Sequence, residues 1–422
     1  WADQGLRQPI PFGRIDPWGR TEFLAYGGWW EDRAGVPHDG HCCMNGLVAA
    51  EREPHPGRLA LKPQHPPVSG RLDGKSLLLT NRYDFTDLAD MMTVRWSRAV
   101  DGEVLASGEL DVPSTAPGAT ARIALPDAAV TRIGRGEAVL TLSYRARGAE
   151  AFVEPGHEIG WDQFVLDGAW RAGDPATGAP PTVTNNDERI MVESAGWSIN
   201  FSKSSGRLTG WRLDGQSLVD GSRPDMARAE TDNDRGAGYG SDRNGPLAGL
   251  DAWTDAHDTW RPDVRIAETR DANTMAIVAS GPLLYGKAML EIRYTIHPAG
   301  ELDVDYRYRA NAELPLLPRI GMLWVLSPEL NRIRWYGPGP NPTYSDRNFE
   351  RLGIWESTVL NDWIDYSRPQ ENGNKVGVRW MEMTDGAGAG LRFEALGGSP
   401  LSINALPWPA SRLRATDYSW QL

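Results

Sequence analysis

The sequence predicts a mainly β protein, and three observations carry that prediction. Strand-length apolar runs recur from about residue 66 onward, with turn signals between them. Within several runs apolar and polar side chains alternate: Val94 and Trp96 fall on one side, Thr93 and Arg95 on the other. The composition agrees, since Gly (46) and Pro (31) together exceed a sixth of the 422 residues while 40% are hydrophobic. That is too apolar for a disordered chain and too rich in turn formers for a helical one.

Residues 1–62 show no period that would build a domain alone, because Pro9, Pro11, Pro17, Gly27, Gly28, Pro37, Gly40, Pro54 and Pro56 interrupt them throughout. A segment this long and irregular reads as the final loops of a barrel or α/β domain preceding the chain. The runs 76–80, 92–96, 108–112, 121–125 and 138–144 follow, with turns at 72–75 and at Asp101-Gly102. This spacing over residues 63–180 predicts a sandwich of immunoglobulin or fibronectin type. Residues 167–181, rich in Gly, Pro and Ala, form the linker.

Residues 181–422 read as a second, larger β-region. Runs at 191–193, 197–201 and 207–211 suggest a meander, and Asp214-Gly215 turns the chain into 216–219. A run at 274–279 precedes 290–296 and 302–308, which His297-Pro298-Ala299-Gly300 joins as a hairpin with charges on its solvent face. The polar break from 227 to 262 reads as a functional or interface loop. Residues 376–380 are expected to form one strand.

The net charge of −12, without a Lys/Arg block, argues against nucleic acid and anionic membranes as partners. No run of about 18 apolar residues would span a bilayer. The only cysteines, Cys42 and Cys43, are adjacent, and a vicinal pair seldom forms an unstrained disulfide. No GxGxxG, P-loop, HExxH or GxSxG pattern is present, and no spacing nominates a pair of catalytic carboxylates. Of the eighteen Trp, some suit stacking on sugar rings, though cross-strand packing accounts for most.

Three segments carry possible chemistry. The loop from Asp39 to Leu47 holds Asn45, whose amide suits a sugar hydroxyl and whose oxygen suits an alkali cation; the plain alternative is a turn before Gly46. Asp39 and His41 are its supporting partners. Residues 335–347 run from a strand into Gly339, Pro340, Asn341, Pro342, Thr343 and Tyr344, with Asp346 and Arg347 as a pair anchoring the return; ligand approach and plain crossover are both open. Gln370, Glu371 and Asn372 are read as pinning the preceding loop through side-chain hydrogen bonds.

These segments resemble the C-terminal part of the large bacterial β-galactosidases of glycoside hydrolase family 2. Trp1-Ala2-Asp3-Gln4, Tyr26-Gly27-Gly28, Asp39 through Leu47 and Arg52-Glu53-Pro54-His55-Pro56 are similar to the end of the catalytic barrel. Arg228-Ala229-Glu230-Thr231-Asp232-Asn233-Asp234, Gly337 through Arg347 and Arg368-Pro369-Gln370-Glu371-Asn372-Gly373 resemble the large C-terminal domain. The resemblance implies the end of a TIM barrel at 1–62, an immunoglobulin-like sandwich at 63–180 and an incomplete β-supersandwich at 181–422. It implies retaining hydrolysis of terminal β-D-galactose from β-galactosides such as lactose. The two glutamates would lie upstream of residue 1, so the isolated chain is expected to be inactive.

Asn45 would then bind sugar and Na⁺, the Cys42 carbonyl would contact the same Na⁺, and residues 339–344 would form the loop that closes over sugar. Mg²⁺ would be held mainly by barrel residues outside this chain. The remaining N-terminal part of the enzyme and further copies of it, as a homo-oligomer, are the implied partners, in cytoplasm or periplasm. Cys42 stands where relatives carry an aromatic, Pro342 where they carry Glu, and the late aromatic of the substrate platform is expected beyond Leu422, leaving a sheet edge unpaired. A β-glucuronidase or β-mannosidase, and a non-catalytic carbohydrate-binding or assembly module, are the rival readings.

Overall fold

The computed structural model describes residues 2–26, 46–131, 134–148, 153–236 and 249–422. Antiparallel sheets dominate, as the alternation predicts. The described part of residues 1–62 carries more regular structure than expected. Gly5–Pro9 pairs with Glu22–Tyr26, and Pro56–Gln64 is a helix that opens on proline at its first turn. The hairpin is hidden in the sequence because a long Pro- and Gly-containing connection separates its strands. Its buried Phe23 and Ala25 pack against residues from the other end of the chain: the Phe23 ring lies 5.6 Å from Tyr418 and 5.8 Å from Trp420.

The next seven strands form two sheets around one core. Three (Val68–Asp73, Ser76–Asn81, Thr120–Ala124) make one sheet, and Glu103–Leu110, Met92–Val100, Ala138–Ala146 and Glu158–Asp167 make the other, in that order. Leu77, Leu79, Val94, Leu140, Leu142 and Tyr144 are fully buried between them. The run expected at 108–112 is displaced: its strand spans Glu103–Leu110, and the chain leaves the sheet before Pro113, which cannot donate to a ladder.

A half-buried carboxylate beside this core gives a pH signature. Asp162 Oδ2 accepts from Tyr144 Oη and from the Gly70 amide, each at 2.5 Å. Burial raises its pKa, the two hydrogen bonds and Arg82 opposing. A carboxyl raised on folding contributes stability that is present below its unfolded pKa and lost as pH rises through the folded value. Asp162→Asn retains an acceptor for both donors without the charge. Urea midpoints taken across the acid range should therefore fall less with rising pH in Asp162→Asn than in wild type; parallel curves would contradict this.

Residues 168–181 carry no regular structure, as expected of a linker. Beyond them lie a six-stranded sheet, which begins at Thr182–Asn185 and ends on Gly321–Leu326, and a four-stranded sheet from Asp263–Ala267 to Leu302–Ala310. The expected hairpin is present: Ala288–Ile296 pairs with Leu302–Ala310, setting Glu291 opposite Arg307 and Arg293 opposite Asp305. Leu290, Ile292, Tyr294 and Ile296 fill the large core from its inner face.

A further sheet orders Arg351–Thr358, Arg332–Gly339, Trp380–Thr384 and Gly390–Glu394. Residues 376–380 do not form one strand. Lys375–Val378 pairs with Leu401–Ile403, whereas Trp380–Thr384 joins the four-stranded sheet. Gly377, at φ 71°, supplies the bend, which aims Arg379 at the small sandwich. Among the described residues no helix is long and apolar enough to cross a membrane, which says nothing of a β-barrel.

Candidate functional site

The candidate site is a cleft where the N-terminal segment meets the large β-region. Gly46, His55, Asp225, Asp232, Arg319 and Pro342 line this end of it, together with Tyr344 to Arg347, Tyr366, Gln370 to Asn374, Asn404 and Trp408; the same wide opening continues along the linker at Ala169 to Pro175 and the six-stranded sheet at Trp324 to Leu326.

Asp3 organises the N-terminal wall. Its buried carboxylate accepts from the Gly46 amide at 2.5 Å through Oδ1, and Oδ2 lies 2.7 Å from His55 Nε2. A Cβ at Gly46 would come within 2.6 Å of the Asp3 backbone nitrogen, so only glycine allows this approach. The His55 ring stacks on Tyr366 at 6.0 Å and 12°. Nearby, Asp16 accepts from the Trp18 and Arg20 amides at 3.0 and 2.7 Å, and Arg20 reaches across to Asp365 at 2.6 Å. Trp408 receives Trp18 at 5.8 Å and Trp363 at 5.1 Å, both edge-on. The Asp3–Gly46 hydrogen bond fixes the exit of the Asp39–Leu47 loop. Asn45, Cys42, Asp39 and His41 themselves lie outside the described residues.

The 339–347 segment divides its labour. Gly339 ends a strand, and a Cβ there would meet Trp355 Cδ1 at 2.5 Å. Asn341 Nδ2 donates to Glu350 Oε1 at 3.0 Å, and burial pushes the Glu350 carboxyl up. Thr343 is fully buried: its amide donates to the Asn374 carbonyl at 2.7 Å, its carbonyl accepts from Asn374 Nδ2 at 3.0 Å, and Oγ1 accepts from the Val376 amide at 2.9 Å. Pro342 and Tyr344 to Arg347 line the cleft; Gly339, Pro340, Asn341 and Thr343 support them from behind. Tyr344 and Arg347 exchange backbone hydrogen bonds at 3.1 and 3.0 Å, with the guanidinium 5.6 Å from the Tyr344 ring. Burial and then the Glu371 carboxylate push the Tyr344 phenol up. The expected Asp346–Arg347 anchor is corrected in one respect: Arg347 secures the return, reaching the Pro342 carbonyl at 3.4 Å, while Asp346 is exposed.

Gln370, Glu371 and Asn372 are buried and do pin loops, though farther ones than expected. Asn372 Oδ1 accepts from the preceding Ile364 amide at 3.1 Å. Gln370 instead grips the 227–236 segment, accepting from the Asp232 amide at 3.1 Å and donating to its carboxylate at 2.9 Å. Glu371 accepts from Arg319 and, at 2.6 Å, from Asn404 Nδ2. Arg319 also donates to Asp225 at 3.0 Å. Burial opposes the Arg319 charge, but Glu371 and Asp225 more than offset this and raise its pKa.

Asp225 and Arg319 were not among the expected site residues. The signal for Arg319 was a lone charge in the otherwise uncharged stretch Leu314 to Ile320, since a buried charge requires a partner; Asp225, two residues from Arg223, gave no such signal. Among the described residues no three or more His, Cys, Asp or Glu gather as a metal cage. The cleft offers aromatic faces and hydrogen-bonding groups around a braced loop.

Residues 193–422 match the family described as Beta galactosidase small chain, and residues 77–167 match Beta-galactosidase, domain 4. A β-galactosidase of Priestia megaterium is 29% identical over 435 residues, an alignment covering 100% of this chain and 39% of that protein. The β-galactosidase BgaC of Bifidobacterium adolescentis is 30% identical over 430 residues, covering 98% and 38%. A β-galactosidase of Lactobacillus delbrueckii subsp. bulgaricus is 29% identical over 425 residues, covering 100% and 39%. The chain thus spans 36–39% of the length of the relatives it matches. With the small-chain match extending over more than half of its residues, the chain belongs to the β-galactosidase family.

Proposed function

We propose that this chain is the rim and scaffold of a retaining β-galactosidase that removes terminal β-D-galactose from β-galactosides. The observation that supports it most is the convergence of Gly46 and His55 with Tyr344, Arg347 and Tyr366 on one cleft, in a chain whose relatives are named β-galactosidases. In this reading residues 1–62 end a catalytic barrel, 63–180 form an immunoglobulin-like sandwich and 181–422 a supersandwich. The acid/base and nucleophilic carboxylates, about 5–5.5 Å apart in retaining enzymes, come from the rest of the polypeptide. Mg²⁺ is assigned to residues outside this chain, and no step here passes through it.

The Asn45 side-chain oxygen and the Cys42 carbonyl are both hard oxygen donors of the kind an alkali cation takes, and the reading assigns Na⁺ to them beside a sugar hydroxyl. Removing one such ligand leaves its neighbours under-satisfied. In the complete enzyme Asn45→Ala should weaken galactoside binding and turnover by roughly 1–3 kcal/mol combined, with sodium activation reduced and folding little changed. Kinetics at varied sodium concentration test this. Unchanged sodium activation with unchanged kinetics would reduce Asn45 to a turn residue.

A further inference from the structure

We infer that Gln163, on the small sandwich, is a positioning residue for the cleft loop: its side-chain amide fixes the neck of the loop that carries Tyr344 and Arg347. This rests on reading the cleft as the galactoside site.

The loop of residues 340–350 springs from a neck in which Pro338 pairs with Leu352 and Gly339 with Arg351. Arg351–Thr358 is the edge strand of its sheet, so the outward backbone groups of Leu352 have no strand partner there. Gln163 supplies one. Its Nε2 donates to the Leu352 carbonyl at 2.8 Å and its Oε1 accepts from the Leu352 amide at 2.8 Å, a rung of antiparallel ladder made by a side chain. The amide cannot spin freely, because Nε2 also donates to Thr141 Oγ1 at 3.0 Å.

The same sandwich strand holds the adjoining neck residue. Arg351 donates to Glu158 Oε2 at 3.0 Å, with its guanidinium 5.4 Å from the Trp161 ring, and Ser143 Oγ donates to that Glu158 oxygen at 2.6 Å. Both neck residues are thus referenced to the small sandwich, while the loop's other fixed point is Thr343 on the 374–376 segment. Tyr344 to Arg347 project into the cleft between these two fixed points. A shift of about 1 Å in groups that hold a substrate costs up to about a hundredfold in rate, so a neck that slides is felt at the sugar.

The test is Gln163→Glu in the complete enzyme. A protonated glutamic acid has the glutamine shape and retains one donor and one acceptor, whereas the carboxylate faces the Leu352 carbonyl with acceptors only. Relative to wild type at each pH, KM for a nitrophenyl β-galactoside should be raised about tenfold at neutral pH, where an ordinary glutamate (pKa about 4.3) is ionised, and the ratio should shrink as pH falls toward about 4, with kcat changing less. Gln163→Met should show the raised KM at every pH. Hydrogen exchange of amides 340–352 should quicken in step, and this reports on the clamp even if galactoside is not the substrate. A flat KM ratio in both variants, or a lowered melting temperature with unchanged exchange at 340–352, would overturn the assignment.

Discussion

Replacing Lys375 with methionine should cost about 3–5 kcal/mol of unfolding free energy, the largest single loss expected in this chain. Lys375 is fully buried and Asp362 nearly so. The ammonium donates to Asp362 Oδ2 at 2.5 Å and to the Gly373 carbonyl at 3.0 Å, and lies 4.6 Å from the Trp335 ring. Burial pulls the Lys375 pKa down and pushes that of Asp362 up, and their mutual attraction does not fully reverse either shift. Such a pair adds little net stability while intact, yet removing one partner strands a charge in the core. Adding Asp362→Leu should therefore restore most of what Lys375→Met loses. The single variant should also recover in acid, where Asp362 takes up a proton: a carboxyl raised by burial costs stability as pH rises through its folded pKa. Urea midpoints of the single and double variants decide this. A double variant as weak as the single would contradict it.

Glu137→Ala should cost a similar amount, about 3–5 kcal/mol, and should act between the two β-regions. Glu137 lies at the end of the small sandwich, where its Oε2 accepts from Tyr336 Oη at 2.8 Å and Arg379 Nε at 2.9 Å, and its Oε1 accepts from Arg379 Nη2 at 2.5 Å. The fork-to-fork geometry makes this a strong charge-assisted contact. The same junction packs Gly102 so closely that a Cβ would meet Ile354 Cγ1 at 2.6 Å. Truncating Glu137 leaves Arg379 mostly buried without its carboxylate. Because the pair is buried, high salt should leave the loss unchanged. A loss below about 1 kcal/mol, or one abolished by salt, would class the contact with exposed surface pairs.

Elements with strict alternation were the most legible in the sequence. Met92–Val100 and the hairpin ending at Ala310 declare themselves because a one-residue slip would turn their apolar side chains to solvent. Residues 376–380 misled because Val376, Val378 and Trp380 alternate well while Gly377 breaks the strand, and only the three-dimensional pairing reveals two sheets. The 5–26 hairpin escaped because its closure is long and its packing partners, Tyr418 and Trp420, stand nearly 400 residues away.

The candidate site follows the same logic. Gln370 to Asn372 announced a polar brace, since three hydrogen-bonding side chains in series seldom lack partners. The identity of those partners did not follow, because Asp232, Arg319 and Asn404 lie far along the chain and meet them only through the sheets. Thr343 looked like part of a ligand loop and proves to be its buried anchor.

The proposed function assigns this cleft to an enzyme acting on β-galactosides. The most direct measurement is kcat/KM of the complete enzyme on nitrophenyl β-galactoside, β-glucuronide and β-mannoside under identical conditions. The galactoside should be preferred by at least about a hundredfold, as expected when a site is built to hydrogen-bond one sugar's hydroxyls. Equal turnover of the three, or a preference for glucuronide or mannoside, would contradict it.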